Sequence, residues 1–382
     1  MEKIKPIKVL HTISVKNLTG AAQPLFLLLK ELNSKDEVKV SVISPVSKGN
    51  LSDKLRNEGF RLYKNIDLYS GKSPLALMSE VYNLAKLIDI KGIDIIHSHL
   101  SHDNWVSAFA SMLSKRKPPV IRTLHNSKST VKRSNYRILY NNLNSKLICI
   151  SDILKAKLIE NYSSLASKTL SIHASVDTSR FNKDISSDSF LNKFKLKKED
   201  GIIGMVARFK KGRGHNELIS LFKKVLNNFP KAKLLLIGKG EEKKRMEKAV
   251  VELNISNSVI FTGYLKDELP KAYRAMTAAC VLEEGNDGSM RTILESMACG
   301  TPVISLNKGS AAEIISNEKT GFIANNLDEL EKHITTLLAN QNLALSMGEK
   351  ASKFIKENYS PPLEAEKHIK VYQEILRNPS VR

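Results

Sequence analysis

Short apolar, β-branched runs alternate with longer amphipathic ones along almost the whole chain. The runs "IKVLHTIS", "VKVSVISP", "IDIIHSHL", "PPVIRTLHN" and "KLICIS" read as strands. Between them, "AQPLFLLLKELN" and "ALMSEVYNLAKLIDIKG" carry apolar residues at helical spacing. Such alternation implies parallel sheets with helices on both faces. Around 174–200 it lapses into the polar stretch "ASVDTSRFNKDISSDSFLNKFKLKKED". It then restarts as "GIIGMVARF", "KAKLLLIGKG", "SVIFTGYL", "AACVLEE" and "TPVISLN". A chain of 382 residues also exceeds what one hydrophobic core usually supports. The fold class expected is α/β, with two doubly wound domains at 1–185 and 186–360, joined near 180–198. The closing helix at 361–382, "PPLEAEKHIKVYQEILRN", follows a double proline and is expected to pack back on the first domain.

Charge narrows the partners. A net charge of +21 argues for something polyanionic: nucleic acid, an anionic membrane face or a phosphorylated substrate. Between Asp103 and Asp152 there is no acid, yet there are Lys115, Arg116, Lys117, Arg122, Lys128, Lys132, Arg133, Arg137 and Lys146. Any single lysine reads as solvated surface; the run as a whole reads as a basic patch. No apolar run reaches the length of a membrane span, and "MEKIKPIKVLHTISV" reads as a first strand rather than a signal peptide. Cys149, Cys280 and Cys299 lack metal or redox spacing, so a reduced, cytoplasmic chain is expected.

In open parallel sheets, ligands bind beyond the carboxyl ends of strands, and a cleft between two such domains would gather those ends. Just there stand Arg208 and Arg213 of "RFKKGRGH", the second flanked by Gly212 and Gly214. Guanidinium forks match phosphate oxygens, and flanking glycines let the backbone approach. A basic surface loop is the competing reading. Gly238-Lys239-Gly240 after the next strand is either a ligand turn or an ordinary strand-to-helix turn. Neither the full dinucleotide fingerprint nor a P-loop occurs.

In "EGNDGSMRTILESMACGTPVI" (284–304), Ser289 is a candidate cap, and Gly300 with Pro302 ends the helix. Arg291 then lies in the first turn, where the helix dipole opposes a cation, and a bound anion would remove that penalty. Glu295 shares its face with Arg291 and Thr292. The alternative is a surface Arg291–Glu295 ion pair with Asp287 as a capping residue. That explains the pair but not the arginine's place.

The pieces "GMVARFKKGRGH", "LLLIGKGEE", "VIFTGYL", "DGSMRTILESMACGTPVI" and "EIISNEKTGFIA", in that order, resemble retaining glycosyltransferases of family 4. "NLTGAAQPLFLLLKEL", "IDIIHSHLS" and "RTLHN" match more loosely, and "IHASVDTSRF" resembles the interdomain linker. The resemblance implies the GT-B fold, two Rossmann-like domains facing a central cleft. It implies that Arg208 and Arg213 hold the donor diphosphate and that Glu295 binds the ribose. Asp287 would contact the transferred sugar, with Gly288, Ser289, Met290 and the following amides near sugar and phosphate. Backbone at Gly263 and Tyr264 would meet the base, with Gly238 near the donor and Gly20 near the phosphates. His125 would line the active site near the sugar as a positioning residue. His97 and His99 carry weaker expectations. Arg291 is not part of the family pattern and is our own inference.

Several residues depart from that pattern. Asp287 replaces a glutamate, Gly288-Ser289-Met290 replaces Gly-Phe-Gly, Arg213 replaces a lysine, and Gly20-Ala21 replaces a double glycine. Gln23 replaces a glutamate. The shorter acid points to a different donor sugar, a different sugar orientation, or weakened catalysis.

The reaction implied is transfer of a hexose from a nucleotide-diphosphate sugar to a hydroxyl with retention, without metal or cofactor. The acceptor expected is a glycan or lipid-linked glycan at an anionic membrane face, as in lipopolysaccharide or capsule assembly. A catalytically weak sugar-nucleotide-binding scaffold is the main alternative. Nucleic acid ranks last as a partner, because no recognised motif or stacking aromatic array occurs and aromatics total 6%.

Overall fold

The computed structural model describes residues 5–18, 20–45, 49–63, 66–68, 73–284 and 290–378. These form two units. The first comprises the described residues up to Ser175 and the C-terminal helix Pro361–Arg377. The second runs from Val176 to Ser360. The chain therefore enters the second unit before the boundary at 185–186 expected from polarity. Val176 donates its N–H to Tyr359 O (3.0 Å), and Phe181 is buried in that unit's core, so the polar linker is already anchored there.

The strands of the first unit are β1 (Ile7–Thr12), β2 (Val38–Ile43), β3 (Ile95–Ser98), β4 (Val120–Leu124), β5 (Lys146–Cys149) and β6 (Thr169–Ser171). They pair in parallel in the order β2-β1-β3-β4-β5-β6. β6 has only 3 residues, two of them polar, so no apolar run announces it. Because side chains alternate across a strand, each strand sends every second residue to one face. Val9, Ile95, Ile121 and Ile148 meet Ala365, Ile369, Tyr372 and Ile375 of the C-terminal helix. Leu10, Ile96 and Val120 face the opposite way, towards Leu84, Ile88 and Ala110.

The second unit repeats the plan with β7 (Ile202–Val206), β8 (Lys233–Ile237), β9 (Val259–Gly263), β10 (Ala278–Val281), β11 (Val303–Leu306) and β12 (Gly321–Ala324). Their order is β12-β11-β10-β7-β8-β9, again parallel. Ile203, Met205, Leu234 and Leu236 enter one core and Ile202, Leu235 and Ile237 the other, so both faces are covered. Strand order reverses between β1 and β3 in one unit and between β7 and β10 in the other. Doubly wound sheets bind ligands beyond the carboxyl ends of strands at such reversals.

Candidate active site

In the second unit the reversal point is built by backbone approach. Beyond β7 the ladder continues: Ala207 N–H donates to Ile237 O (3.0 Å) and Phe209 N–H to Lys239 O (3.1 Å). Between those two bonds stands Arg208, exposed, with its Nη2 3.7 Å from Glu241 Oε2. A Cβ on Gly238 would lie 2.0 Å from Ala207 O, and one on Gly240 the same distance from Phe209 O. The Gly-Lys-Gly segment is thus a close-packed support for the arginine loop. Gly238 N–H also donates to Gly263 O (3.0 Å), tying in the end of β9, where Tyr264 is 66% exposed. Lys239 Nζ lies 5.2 Å from the centre of the Tyr264 ring.

Arg213 is half-buried between two glycines with left-handed backbone, Gly212 (φ 72°) and Gly214 (φ 82°). Gly214 precedes the helix His215–Asn228, and a Cβ there would sit 2.4 Å from Leu282 Cβ, just past β10. The Arg213 loop therefore lies against the β7/β10 reversal.

The helix Arg291–Ala298 opens differently from the expected serine cap. Its N-cap is Met290 in left-handed backbone (φ 45°), and the Met290 side chain is buried in the core. Only the Met290 backbone can meet a donor. Arg291 occupies the first helical position, and its Nε lies 3.2 Å from Glu295 Oε1. Glu295 is 5% exposed, and its other oxygen accepts from Tyr273 Oη at 3.1 Å. The ion pair weighed against a bound anion is present, but with a buried carboxylate rather than at the surface. That carboxylate offsets the dipole's opposition to Arg291 without any ligand. Thr292 is half-buried on the same turn. Asp287, Gly288 and Ser289 lie outside the described residues.

The first unit holds a polar core that its apolar strands conceal. His11, His97, His99, Thr123 and His125 all fall on the face towards the C-terminal helix, which contributes His368 and Tyr372; every one is buried. Register places His11 beside His97. His97 Nε2 lies 2.7 Å from Thr123 Oγ1 and His97 Nδ1 2.8 Å from Tyr372 Oη. Tyr372 Oη is 3.4 Å from His11 Nε2, His11 Nδ1 3.1 Å from His99 Nε2, and His99 Nδ1 3.2 Å from His125 Nε2. His125 Nδ1 has no partner among the described residues. Burial holds His11 and His125 down to about 3 and His97 and His99 well below the usual imidazole range. Neighbouring histidines add to the effect, as does the buried Arg122 guanidinium at His97 and His125. All four are neutral at pH 7. Asp103 accepts the His99 N–H (2.8 Å) and the Ser14 hydroxyl (2.8 Å), fixing the His99 backbone.

His11, His97 and His99 offer nitrogens within 4.8 Å of one another, a candidate metal set. However, His99 stacks on both other rings, and their nitrogens bond to neighbours. Stacked rings do not aim lone pairs at one point, so the set reads as a hydrogen-bonded chain. Gly20 (φ 53°) lies between β1 and the helix Ala22–Leu32.

Two family models together span most of the chain. Residues 186–354 match "Glycosyl transferases group 1" and residues 19–180 match "Glycosyltransferase Family 4". The chain belongs to the group 1 glycosyltransferases. This glycosyltransferase is 29% identical over 291 residues to an uncharacterized glycosyltransferase of Methanocaldococcus jannaschii, covering 74% of this chain and 76% of that one. It is 27% identical to N-acetyl-alpha-D-glucosaminyl L-malate synthase of Bacillus anthracis, covering 80% of each. It is 25% identical to a capsular polysaccharide biosynthesis glycosyltransferase of Staphylococcus aureus, covering 80% and 84%. Among solved structures, a glycosyltransferase of Rickettsia africae superposes with a TM-score of 0.84 at 21% identity, over 98% of this chain and 100% of the other. The Anabaena protein HepE, solved with UDP, gives 0.81 at 18% identity over 96% and 100%. The fold is GT-B.

Within this glycosyltransferase, Arg208, Arg213, Gly238, Gly263, Tyr264, Arg291, Thr292 and Glu295 belong to the second unit, while Gly20 and His125 belong to the first. Sequence reasoning missed Tyr273, which no local signal marks. It also missed His11, Thr123 and Tyr372. Period-two alternation of 9 and 11, of 95, 97 and 99, and of 121, 123 and 125 could have grouped the strand members.

Proposed function

We propose that this glycosyltransferase moves a hexose, with retention and without metal or cofactor, from a nucleotide-diphosphate sugar to a hydroxyl of a glycan or lipid-linked acceptor. The observation that carries the reading is the pair Arg208 and Arg213 on loops held by close glycine contacts at the β7/β10 reversal. Preorganised cations and free helix amides stabilise the charge that develops on a departing diphosphate. HepE, a fold relative, was solved with UDP, which agrees with a nucleotide donor. Glu295 is assigned to the ribose; its carboxylate keeps acceptor sites beyond those used by Arg291 and Tyr273. Asp287 is assigned to the sugar and His125 to its positioning. Screening nucleotide sugars for thermal stabilisation, then measuring acceptor-dependent nucleotide release in chelator, tests the reading. No release with any stabilising donor and a broad acceptor panel would sink it; inverted product would sink retention.

We place the acceptor at the cytoplasmic face of a membrane, in envelope glycan assembly. On the helix Pro74–Lys91, Leu75, Met78 and Tyr82 are exposed, and the helix Ser101–Leu113 packed against it exposes Phe109, Met112 and Leu113. Exposed Lys115, Arg116 and Lys117 follow directly. The basic stretch is smaller than its sequence suggested: Arg122 is buried in β4, Lys146 pairs with Glu374 (3.1 Å) and Arg116 with Asp94 (2.9 Å). No helix among the described residues is long and apolar enough to cross a membrane. Apolar contact with basic flanks suits an anionic lipid surface. Binding to anionic vesicles should weaken with salt and on neutralising the exposed Lys132 and Arg133. Equal binding to neutral vesicles would count against it.

A further inference from the structure

We infer that Tyr372 of the C-terminal helix, acting through His11 and His99, sets the tautomer of His125 and so decides whether its Nδ1 donates or accepts a hydrogen bond. The links run Thr123–His97–Tyr372–His11–His99–His125, at 2.7, 2.8, 3.4, 3.1 and 3.2 Å. A neutral imidazole has one donor and one acceptor nitrogen, and a tyrosine hydroxyl has a single proton to give. Only two arrangements then fill every link and also use the tyrosine proton; a Tyr372 oxygen that accepted from both His97 and His11 would leave its own buried O–H unbonded. In one, Tyr372 donates to His11 Nε2. His11 Nδ1 then donates to His99 and His99 Nδ1 to His125, which leaves an N–H on His125 Nδ1. His97 meanwhile donates from Nδ1 to Tyr372 and accepts from Thr123. In the other, Tyr372 donates to His97 Nδ1, every direction reverses, and His125 Nδ1 carries a lone pair. Passing from the second to the first takes one proton in at His125 Nδ1, shifts one across each link, and releases one from Thr123. All four histidines therefore share one tautomer, Nδ1–H or Nε2–H.

Unfilled links between groups buried this deeply are costly, which is why the two arrangements exclude mixtures. His125 is itself 6% exposed, and its Nδ1 lacks a partner among the described residues, so that atom is the chain's open end. Tyr372 is a positioning residue, touching no reacting atom. Its role in sugar transfer rests on the assignment of His125 to the sugar; the shared tautomer does not.

Long-range ¹H–¹⁵N correlation spectra of the histidine rings at neutral pH, on the full chain without substrate, test this. The result expected is one tautomer common to His11, His97, His99 and His125. Mixed tautomers, or a charged ring in the set, would overturn the proposal whatever reaction the protein catalyses. Tyr372→Phe should release His11, His99 and His125 into a mixture of both forms. It should also lower kcat about tenfold, the worth of one hydrogen bond at the transition state, with KM little changed. A Tyr372→Phe protein whose three rings keep the single wild-type form would remove Tyr372 from its role. If the tautomers behave as stated and no sugar transfer is found with any donor, the functional reading fails and the chain stands.

Discussion

Arg291 shows how one side chain answers a question that its own helix poses. A cation at the first position of a helix faces unpaired N–H groups and the positive end of the dipole. Glu295, four residues on and buried, supplies the counter-charge, and Tyr273 fills its second oxygen. A carboxylate buried this far depends on both partners, since a charge left without them is costly. We expect Glu295→Gln to destabilise the second unit by about 1–2 kcal/mol, a value reduced because Arg291 is one-third exposed. Arg291→Met should cost a similar amount, and the double variant should cost less than their sum. A double-mutant cycle on thermal midpoints reads the coupling; strict additivity would show that the pair contributes nothing.

The elements around that pair were read from local pattern, and the pattern holds where structure is local. Eleven-residue and longer apolar periodicities gave the crossover helices, and Gly300 in left-handed backbone (φ 71°) ends the helix that Arg291 begins. What the local pattern left open involves contacts remote in sequence. Gly238-Lys239-Gly240 could be a ligand turn or a plain connection, and no local feature separates the two. The carbonyls of Ala207 and Phe209, on another strand's extension, explain why glycine stands at 238 and 240. The histidines of "HSH" looked like separate weak candidates for the same reason: their partners lie on β1, β4 and the C-terminal helix. The close approach also gives a prediction for the element. Gly240→Ala places a Cβ against a backbone carbonyl, so the Arg208 loop must shift, at about 1–3 kcal/mol in stability. Gly212→Ala meets no atom within 4 Å, and its cost is only backbone strain of about 1–2 kcal/mol. Titrating both variants with a nucleoside diphosphate should show weakened binding for Gly240→Ala beyond that for Gly212→Ala. Equal affinities would mean that the glycine contacts do not position Arg208.

For the molecule as a whole, the buried polar groups make the first unit acid-sensitive. His11, His97, His99, His125 and His368 are all held below the ordinary imidazole range by burial, His368 at about 4. A group depressed in this way takes up its proton more readily when unfolded. Its contribution is intact above about 6.5 and is lost as pH falls from there towards the folded values near 3–4. Between pH 7 and 5 each such histidine withdraws about 2 kcal/mol. Glu364 works in the opposite sense. Burial raises its carboxyl to about 7, although it accepts the Ser175 N–H (2.9 Å), so its stabilising effect grows on acidification from 7 towards 4.5. It offsets about one histidine, and Asp103, also raised by burial, acts in the same direction. The histidines outnumber these carboxyls, so the first unit should lose several kcal/mol from pH 7 to pH 5. The chain's 1 tryptophan, Trp105, lies in the helix Ser101–Leu113 of that unit, so its fluorescence follows the first unit alone. Urea midpoints from Trp105 should therefore fall sharply over this range, and Glu364→Gln should steepen the fall by removing the opposing proton. A Trp105 midpoint unchanged between pH 7 and 5 would mean that these histidines are as easily protonated folded as unfolded, which their burial does not allow.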